Sequence, residues 1–162
     1  MVTSPSETVS NELKIRVATV ENLPTLNRLY AEMDGKPLLA NTKIQEIWQK
    51  IDRIPDYNIY LAFQKDRAIG TFSLLFIPTM MHRGFHKAAI LDAVTISPPY
   101  RERGLGAKMI DRALELSKEA GCYKVTLSTN LNRVRTRKFY QTLGFKQHGW
   151  SFSYKLKPEA EG

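Results

Sequence analysis

The chain has 162 residues, 43% of them hydrophobic and 25% charged, an ordinary composition for a soluble globular protein of one domain. Its net charge of +8 permits contact with nucleic acid or an anionic membrane, but a polyanionic small ligand accounts for part of the excess equally well. The single cysteine, Cys122, excludes an internal disulfide, no Cys/His cluster suggests a metal site, and there is neither a signal-peptide pattern nor an apolar run of membrane-spanning length; the expected compartment is the cytoplasm.

Residues 1–11 hold Ser, Thr and Pro with few large apolar side chains and read as a loose tail, as do residues 158–162, leaving residues 12–157 as the domain. Leu13-Lys14-Ile15-Arg16-Val17 alternates apolar and basic, the period of a strand with one buried face. Leu23, Leu26, Leu29, Tyr30 and Met33 then fall at helical spacing and stop at Asp34-Gly35. A second helix is predicted from Thr42 to about Asp52 on Ile44, Ile47, Trp48 and Ile51, with Gly35 to Asn41 as a mobile link.

Two strands follow, Asn58 to Gln64 and Ala68 to Ile77, whose short polar connection implies a hairpin. After a loop from Pro78 to His86, a strand over Lys87 to Ile96 ends at Ser97-Pro98-Pro99 and gives way to an amphipathic helix opened by Gly104-Leu105-Gly106 and capped by Gly121. Lys124 to Thr129 alternates as a strand, Arg133 to Leu143 is a short helix stopped by Gly144, and Ser151 to Leu156 is predicted as a last strand, one that could support a homodimer. The order β, α, α, β, β, β, α, β, α, β describes a mixed sheet flanked by helices.

The stretch from Leu91 to Ala107 is strand, tight loop, helix. Two glycines and two arginines, Arg101 and Arg103, around a helix N-terminus suit an anionic ligand, because the first turn offers free N–H groups and a partial positive charge. Gly104 and Gly106 could instead serve close packing of helix on sheet. The glycines are not a dinucleotide fingerprint, since Met109 stands where the third glycine belongs, and no Gly-Lys-Ser/Thr marks a nucleoside triphosphate loop. His82 and His86 are four apart but flank Gly84 and lack the following Glu of a metalloprotease helix. Cys122 reads as a small packed thiol.

Arg101-Glu102-Arg103-Gly104-Leu105-Gly106 resembles the R/Q-x-x-G-x-G/A signature of the GNAT superfamily of N-acetyltransferases, on the strand-to-helix junction where that signature belongs. Phe139-Tyr140-Gln141-Thr142-Leu143-Gly144-Phe145 is similar to the family's FY-x-x-x-GF segment, and Gly121-Cys122-Tyr123-Lys124-Val125 resembles its approach to the fifth strand. The resemblance implies a mostly antiparallel sheet whose fourth and fifth strands splay at a bulge, with the pantetheine arm of acetyl-CoA pairing along the fourth strand. It puts Val94, Thr95 and Ile96 beside the acetyl and pantetheine groups, and the pyrophosphate on Arg101, Arg103, Gly104, Leu105, Gly106 and Ala107. Val94 to Ile96 also read as a plain buried strand, and both can hold.

Acetyl transfer to an amine needs a base for the acceptor ammonium, a donor to polarise the thioester carbonyl and an acid for the departing thiolate. By resemblance Tyr140 is the acid, a phenol with an ordinary pKa of about 10; a Tyr on an apolar helix stripe is otherwise core. Asp92 stands where relatives carry Glu, in an otherwise apolar segment that demands a partner, a raised pKa or a job; it acts as base through a water, or only contacts the acceptor. The carbonyl polariser is the backbone N–H of Thr95 or Ile96.

Two positions depart from the family pattern, Arg133 where Asn is usual and Thr136 where Ala is, which leaves the further cofactor contact open among Asn130, Asn132 and Arg133. The sum is an acetyl-CoA-dependent transferase with no metal, direct transfer in a ternary complex and a small primary amine as acceptor, with neither nucleic acid nor membrane as partner. The alternatives are a peptide or protein N-acetyltransferase and a non-catalytic acyl-CoA-binding module.

Overall fold

The computed structural model describes residues 12–84 and 86–156; the two predicted tails lie outside this range. The chain divides into two units, one through Leu127 and one from Ser128.

The first unit is a five-stranded sheet with helices on its faces. Its elements are β1 (Leu13–Val17), α1 (Leu23–Asp34), α2 (Asn41–Ile51), β2 (Tyr57–Gln64), β3 (Arg67–Pro78), β4 (Lys87–Ile96), α3 (Leu105–Glu119) and β5 (Val125–Thr126). Spatial order follows chain order, antiparallel throughout except for the parallel pair β4–β5. Lys65 and Asp66 make the two-residue β2–β3 turn, Lys65 taking a left-handed φ of +55°.

Strand alternation sends β3 side chains to two cores. Gly70 faces Met109 of α3, so Phe72 and Leu74 look the same way, and Tyr60 stacks on Phe72 with ring centroids 5.0 Å apart. Leu105, Met109, Ile110 and Ala113 supply the helical half of that layer, all buried. On the opposite face Leu23, Leu26, Leu29 and Ile44 pack with Ile59, Leu61 and Ala68. Each large side chain so buried contributes about 1.5–3 kcal/mol.

β4 is interrupted. Thr71 pairs with Thr95 but Ser73 pairs with Asp92, so Phe72 faces two residues, Ala93 and Val94, and Ala93 adopts a left-handed φ of +49°. This is a β-bulge. β5 touches β4 only through Ala89–Val125 and Ile90–Thr126, and beyond Ile90 the two strands part.

The second unit holds α4 (Val134–Thr142), ended by Gly144 at φ +92°. Two strand expectations need correction. The strand predicted over Lys124 to Thr129 is only Val125–Thr126, because its ladder to β4 ends where β4 departs toward the bulge. The strand predicted over Ser151 to Leu156 does not form: a strand needs a ladder as well as alternation, and Trp150, Phe152, Tyr154 and Leu156 are instead 75%, 92%, 87% and 90% exposed.

Candidate active site

The end of β4 carries most of the predicted residues. The Ser97 N–H donates to the Ile69 carbonyl at 2.7 Å, which fixes the phase of the ladder. In an antiparallel pair, alternate residues point their N–H and C=O to the same side. Thr95 and Ser97 therefore direct theirs at β3, while Val94 and Ile96 direct theirs outward, where β5 has already ended. Of the two amides named as carbonyl polarisers, Thr95's faces β3 and Ile96's faces outward. The Ile96 carbonyl accepts from Arg101 Nε at 2.9 Å, a contact that folds Arg101 back onto the strand end.

A 3-10 turn over Pro98–Tyr100 leads into the loop before α3. Arg103 and Arg67 both lie against the Tyr100 ring, at 5.7 and 5.8 Å from its centroid. Gly104 is the N-cap of α3 at φ +74°, a conformation that favours glycine, with open space where a side chain would stand. No side chain caps the helix and its first turn holds no acid. The first-turn amides of Leu105, Gly106 and Ala107, with the exposed Arg101 and Arg103 alongside, suit a diphosphate, and the outward backbone of Val94 and Ile96 suits an extended amide-bearing arm. The residues present thus fit acetyl-CoA.

Asp92 is exposed, and its pairing opposite Ser73 sets it on the face toward α1, next to the bulge. Its Oδ1 accepts the Ala93 N–H at 2.8 Å, and its carbonyl accepts from Ser73 Oγ at 3.2 Å.

In the second unit Tyr140 is 9% exposed, its ring edge-on to Phe139 at 5.2 Å and to Phe145 at 5.5 Å. Its carbonyl accepts the N–H groups of Leu143 and Phe145, both at 3.1 Å, which closes α4 against the Phe145 turn. Asn130 is occupied by its own loop: its side chain accepts the Asn132 N–H at 2.9 Å and its carbonyl the Arg133 N–H at 3.0 Å. The side chains of Asn132 and Arg133 are exposed.

Sequence reasoning missed two features near β4. Ser97 Oγ donates to Glu32 Oε2 at 2.6 Å, while Arg28 reaches Glu32 at 2.9 Å, Ser97 Oγ at 3.2 Å and the Ala68 carbonyl at 2.9 Å. Burial alone would raise the Glu32 carboxyl, but the bonds from Ser97 and Arg28, with the charges of Arg28 and Arg67, outweigh it and hold the group below its ordinary value. The second feature is Tyr30, whose hydroxyl bonds the Thr71 side chain. The signal for the first was an Arg and a Glu four apart on α1; a Tyr counted only as apolar stripe hid the second.

Burial pushes the Cys122 thiol up despite Lys87 nearby, in keeping with a packed, inert sulfur. A cleft of about 350 Å³ lined by Glu12, Leu13, Ile15, Lys108 and Arg112 holds none of the predicted residues. Among the described residues no three His, Cys, Asp or Glu side chains are grouped to hold a metal, and no helix is long and apolar enough to cross a membrane.

The sequence is similar to glucosamine 6-phosphate N-acetyltransferase of Trypanosoma brucei brucei, 28% identical over 138 residues that cover 85% of this chain and 91% of the relative. An N-alpha-acetyltransferase of Arabidopsis thaliana is 33% identical over 86 residues, 53% of this chain and 43% of that one. A solved protein from Agrobacterium tumefaciens superposes with a TM-score of 0.82 at 26% identity, covering 88% of this chain and 99% of its own. The model of the acetyltransferase (GNAT) family matches residues 23–145, and the chain belongs to that family of acetyl-CoA-dependent N-acetyltransferases.

Proposed function

We propose that the protein moves the acetyl group of acetyl-CoA directly to the primary amine of a small molecule, residues 12–157 acting as one catalytic domain in the cytoplasm. The observation that carries this is the end of β4, where the Val94 and Ile96 backbone faces outward beside an uncapped, acid-free helix N-terminus. Acetyl-CoA supplies an activated thioester. Arg101, Arg103 and the amides from Gly104 to Ala107 hold its pyrophosphate, the outward backbone of Val94 and Ile96 holds the arm while Thr95, expected beside it, is taken up by the β3 ladder, and Asn132 or Arg133 adds a further contact. The outward Ile96 N–H is oriented to polarise the carbonyl. Asp92 takes a proton from the acceptor ammonium, directly or through water, and Tyr140 gives one to the leaving sulfur. A carbon–nitrogen bond forms and a carbon–sulfur bond breaks. Of the two protons the nitrogen sheds, one is matched by the proton delivered to sulfur, and the other reaches solvent by way of Asp92.

The kinetoplastid relative, named for a small phosphorylated amino sugar and matched over nearly its whole length, favours a small acceptor. The shorter match to an N-alpha-acetyltransferase is the observation behind a second reading, a peptide acceptor. Thiol release from acetyl-CoA over a panel of small amines, amino acids and peptides separates the two. Turnover on a small amine that falls about a hundredfold or more in Tyr140→Phe is expected. Tight CoA binding with no turnover on any acceptor would instead make the protein an acyl-CoA sensor.

The assembly proposed is a homodimer through the C-terminal segment. Antiparallel pairing of two copies about Ser153 sets Phe152 against Tyr154 and Trp150 against Leu156, and opposes no like charges. The exposed aromatic and leucine side chains offer on the order of 600 Å² per protomer, close to what one side of a stable interface buries.

A further inference from the structure

The face of β3 and β4 that looks toward α1 carries a polar group in the middle of an apolar layer. Gly70 faces α3, so Thr71 and Ser73 alternate with it toward α1, and the register places Thr95 opposite Thr71 and Asp92 opposite Ser73, across the bulge. Thr71, Ser73 and Thr95 are all buried. Tyr30, projecting from α1, bonds the Thr71 side chain.

Donor accounting fixes the direction of that bond. The Thr71 hydroxyl donates its one proton to the Tyr60 carbonyl at 2.7 Å, so its oxygen accepts from Tyr30 and the phenol is left with acceptor capacity only. Asp92 has the same character: Oδ1 accepts the Ala93 N–H, and the exposed carboxylate keeps Oδ2 as a further acceptor. Burial pushes the Tyr30 phenol up to about 12, with Tyr57 and the Asp92 charge adding to the rise, so it stays neutral at any working pH. One anionic and one neutral acceptor, with no cation donated between them, suit a group made only of donors.

We infer that Tyr30 Oη and Asp92 Oδ2 together hold the acceptor nitrogen as a primary ammonium, with Tyr30 a direct, specificity-determining contact of the transfer reaction. Two of the three ammonium N–H bonds go to these oxygens. When the proton directed at Asp92 leaves, an N–H bond donated to Tyr30 keeps the neutral amine in the site while the nitrogen turns its freed lone pair from Asp92 toward the thioester. A hydroxyl acceptor, with one proton to give, cannot satisfy both oxygens. This assignment rests on the transferase reading above.

The test uses the full chain with glucosamine 6-phosphate and a panel of simple primary amines as probes, followed by thiol release, and compares wild type with Tyr30→Phe, which keeps the ring in place. The expected result is an amine KM raised tenfold or more with kcat changed less than threefold, the size of one lost bond to a charged group, while calorimetric CoA affinity stays at the wild-type value. An unchanged amine KM with transfer intact overturns the assignment and leaves the transferase reading standing. A loss of CoA affinity in step with the rise in amine KM makes Tyr30 structural and also overturns it. CoA binding without acetylation of any amine sinks the transferase reading and this site with it.

Discussion

Gly70 is where a single methyl group tests whether the sheet, α3 and the cofactor strand are packed as tightly as the structure shows. A Cβ there would lie 2.7 Å from the Thr95 carbonyl oxygen and 3.0 and 3.2 Å from Sδ and Cε of Met109. The methionine end is flexible and can swing away; the carbonyl belongs to the β3–β4 ladder and cannot move without shifting the strand. Overpacking costs typically about 1–3 kcal/mol, and a backbone obstacle puts Gly70→Ala at the upper end, about 3 kcal/mol. The paired variant Gly70→Ala/Met109→Ala removes the sulfur contact but leaves the carbonyl, so any relief should be judged against the cost of Met109→Ala alone and should be partial. Urea denaturation with a shared m-value gives the stability change, and calorimetry with CoA shows whether displacing Thr95 also disturbs the neighbouring Val94 and Ile96. A Gly70→Ala protein as stable as wild type refutes the reasoning, because it would mean that β4 stands farther from β3 than its ladder implies.

Glu32 gives a pH prediction with a definite sign. Its folded pKa lies below the unfolded value, so its contribution is full above the unfolded pKa and is lost as pH falls through the folded one. The stability advantage of wild type over Glu32→Gln should therefore be present at pH 7 and vanish on acidification toward pH 3; a difference that does not change with pH would contradict the Arg28–Glu32–Ser97 geometry. For the dimer, sedimentation equilibrium should show a two-chain species that becomes one-chain in Trp150→Ser/Phe152→Ser, and a wild-type chain that is monomeric at every concentration reached refutes it.

The regular elements were legible because their apolar periods were clean: the helix stop at Asp34-Gly35 and both ends of the strand from Lys87 to Ile96 stand where the pattern placed them. The failures share a cause, which is that a single sequence shows periodicity but not pairing. Ser151 to Leu156 alternates as well as any strand, yet alternation does not supply a ladder. Nothing local announced that Asn27, buried in α1, holds Leu39 of the Gly35 to Asn41 link by both its N–H and its C=O, at 3.0 and 2.8 Å. Asp92 stands among apolar neighbours and is exposed; the bulge beside it, which the family resemblance implied, is made by an alanine, not a glycine, so no residue type fixed its position.

That one extra residue at Ala93 does more than bend the strand. Ala89 donates its N–H away from β3, to Lys124, so in an unbroken strand the even-numbered residues after it, Val94 and Ile96 included, would point their backbone groups at β3, and Thr95 and Ser97 would point outward. Asp92 and Thr95, three apart, would also lie on opposite faces. The bulge advances the phase by one, and both relations invert: Val94 and Ile96 offer their amides to the open side, and Thr95 joins Thr71, Ser73 and Asp92 on the face toward α1. A single irregularity thus puts the backbone that would hold a thioester arm and the carboxylate that would meet an amine on the same few residues of one strand. Deleting Ala93 would remove the bulge yet keep this phase, because Asp92 and Thr95 would then stand two apart on one face and Val94 and Ile96 would still alternate outward; what would be lost is the local bend of the strand.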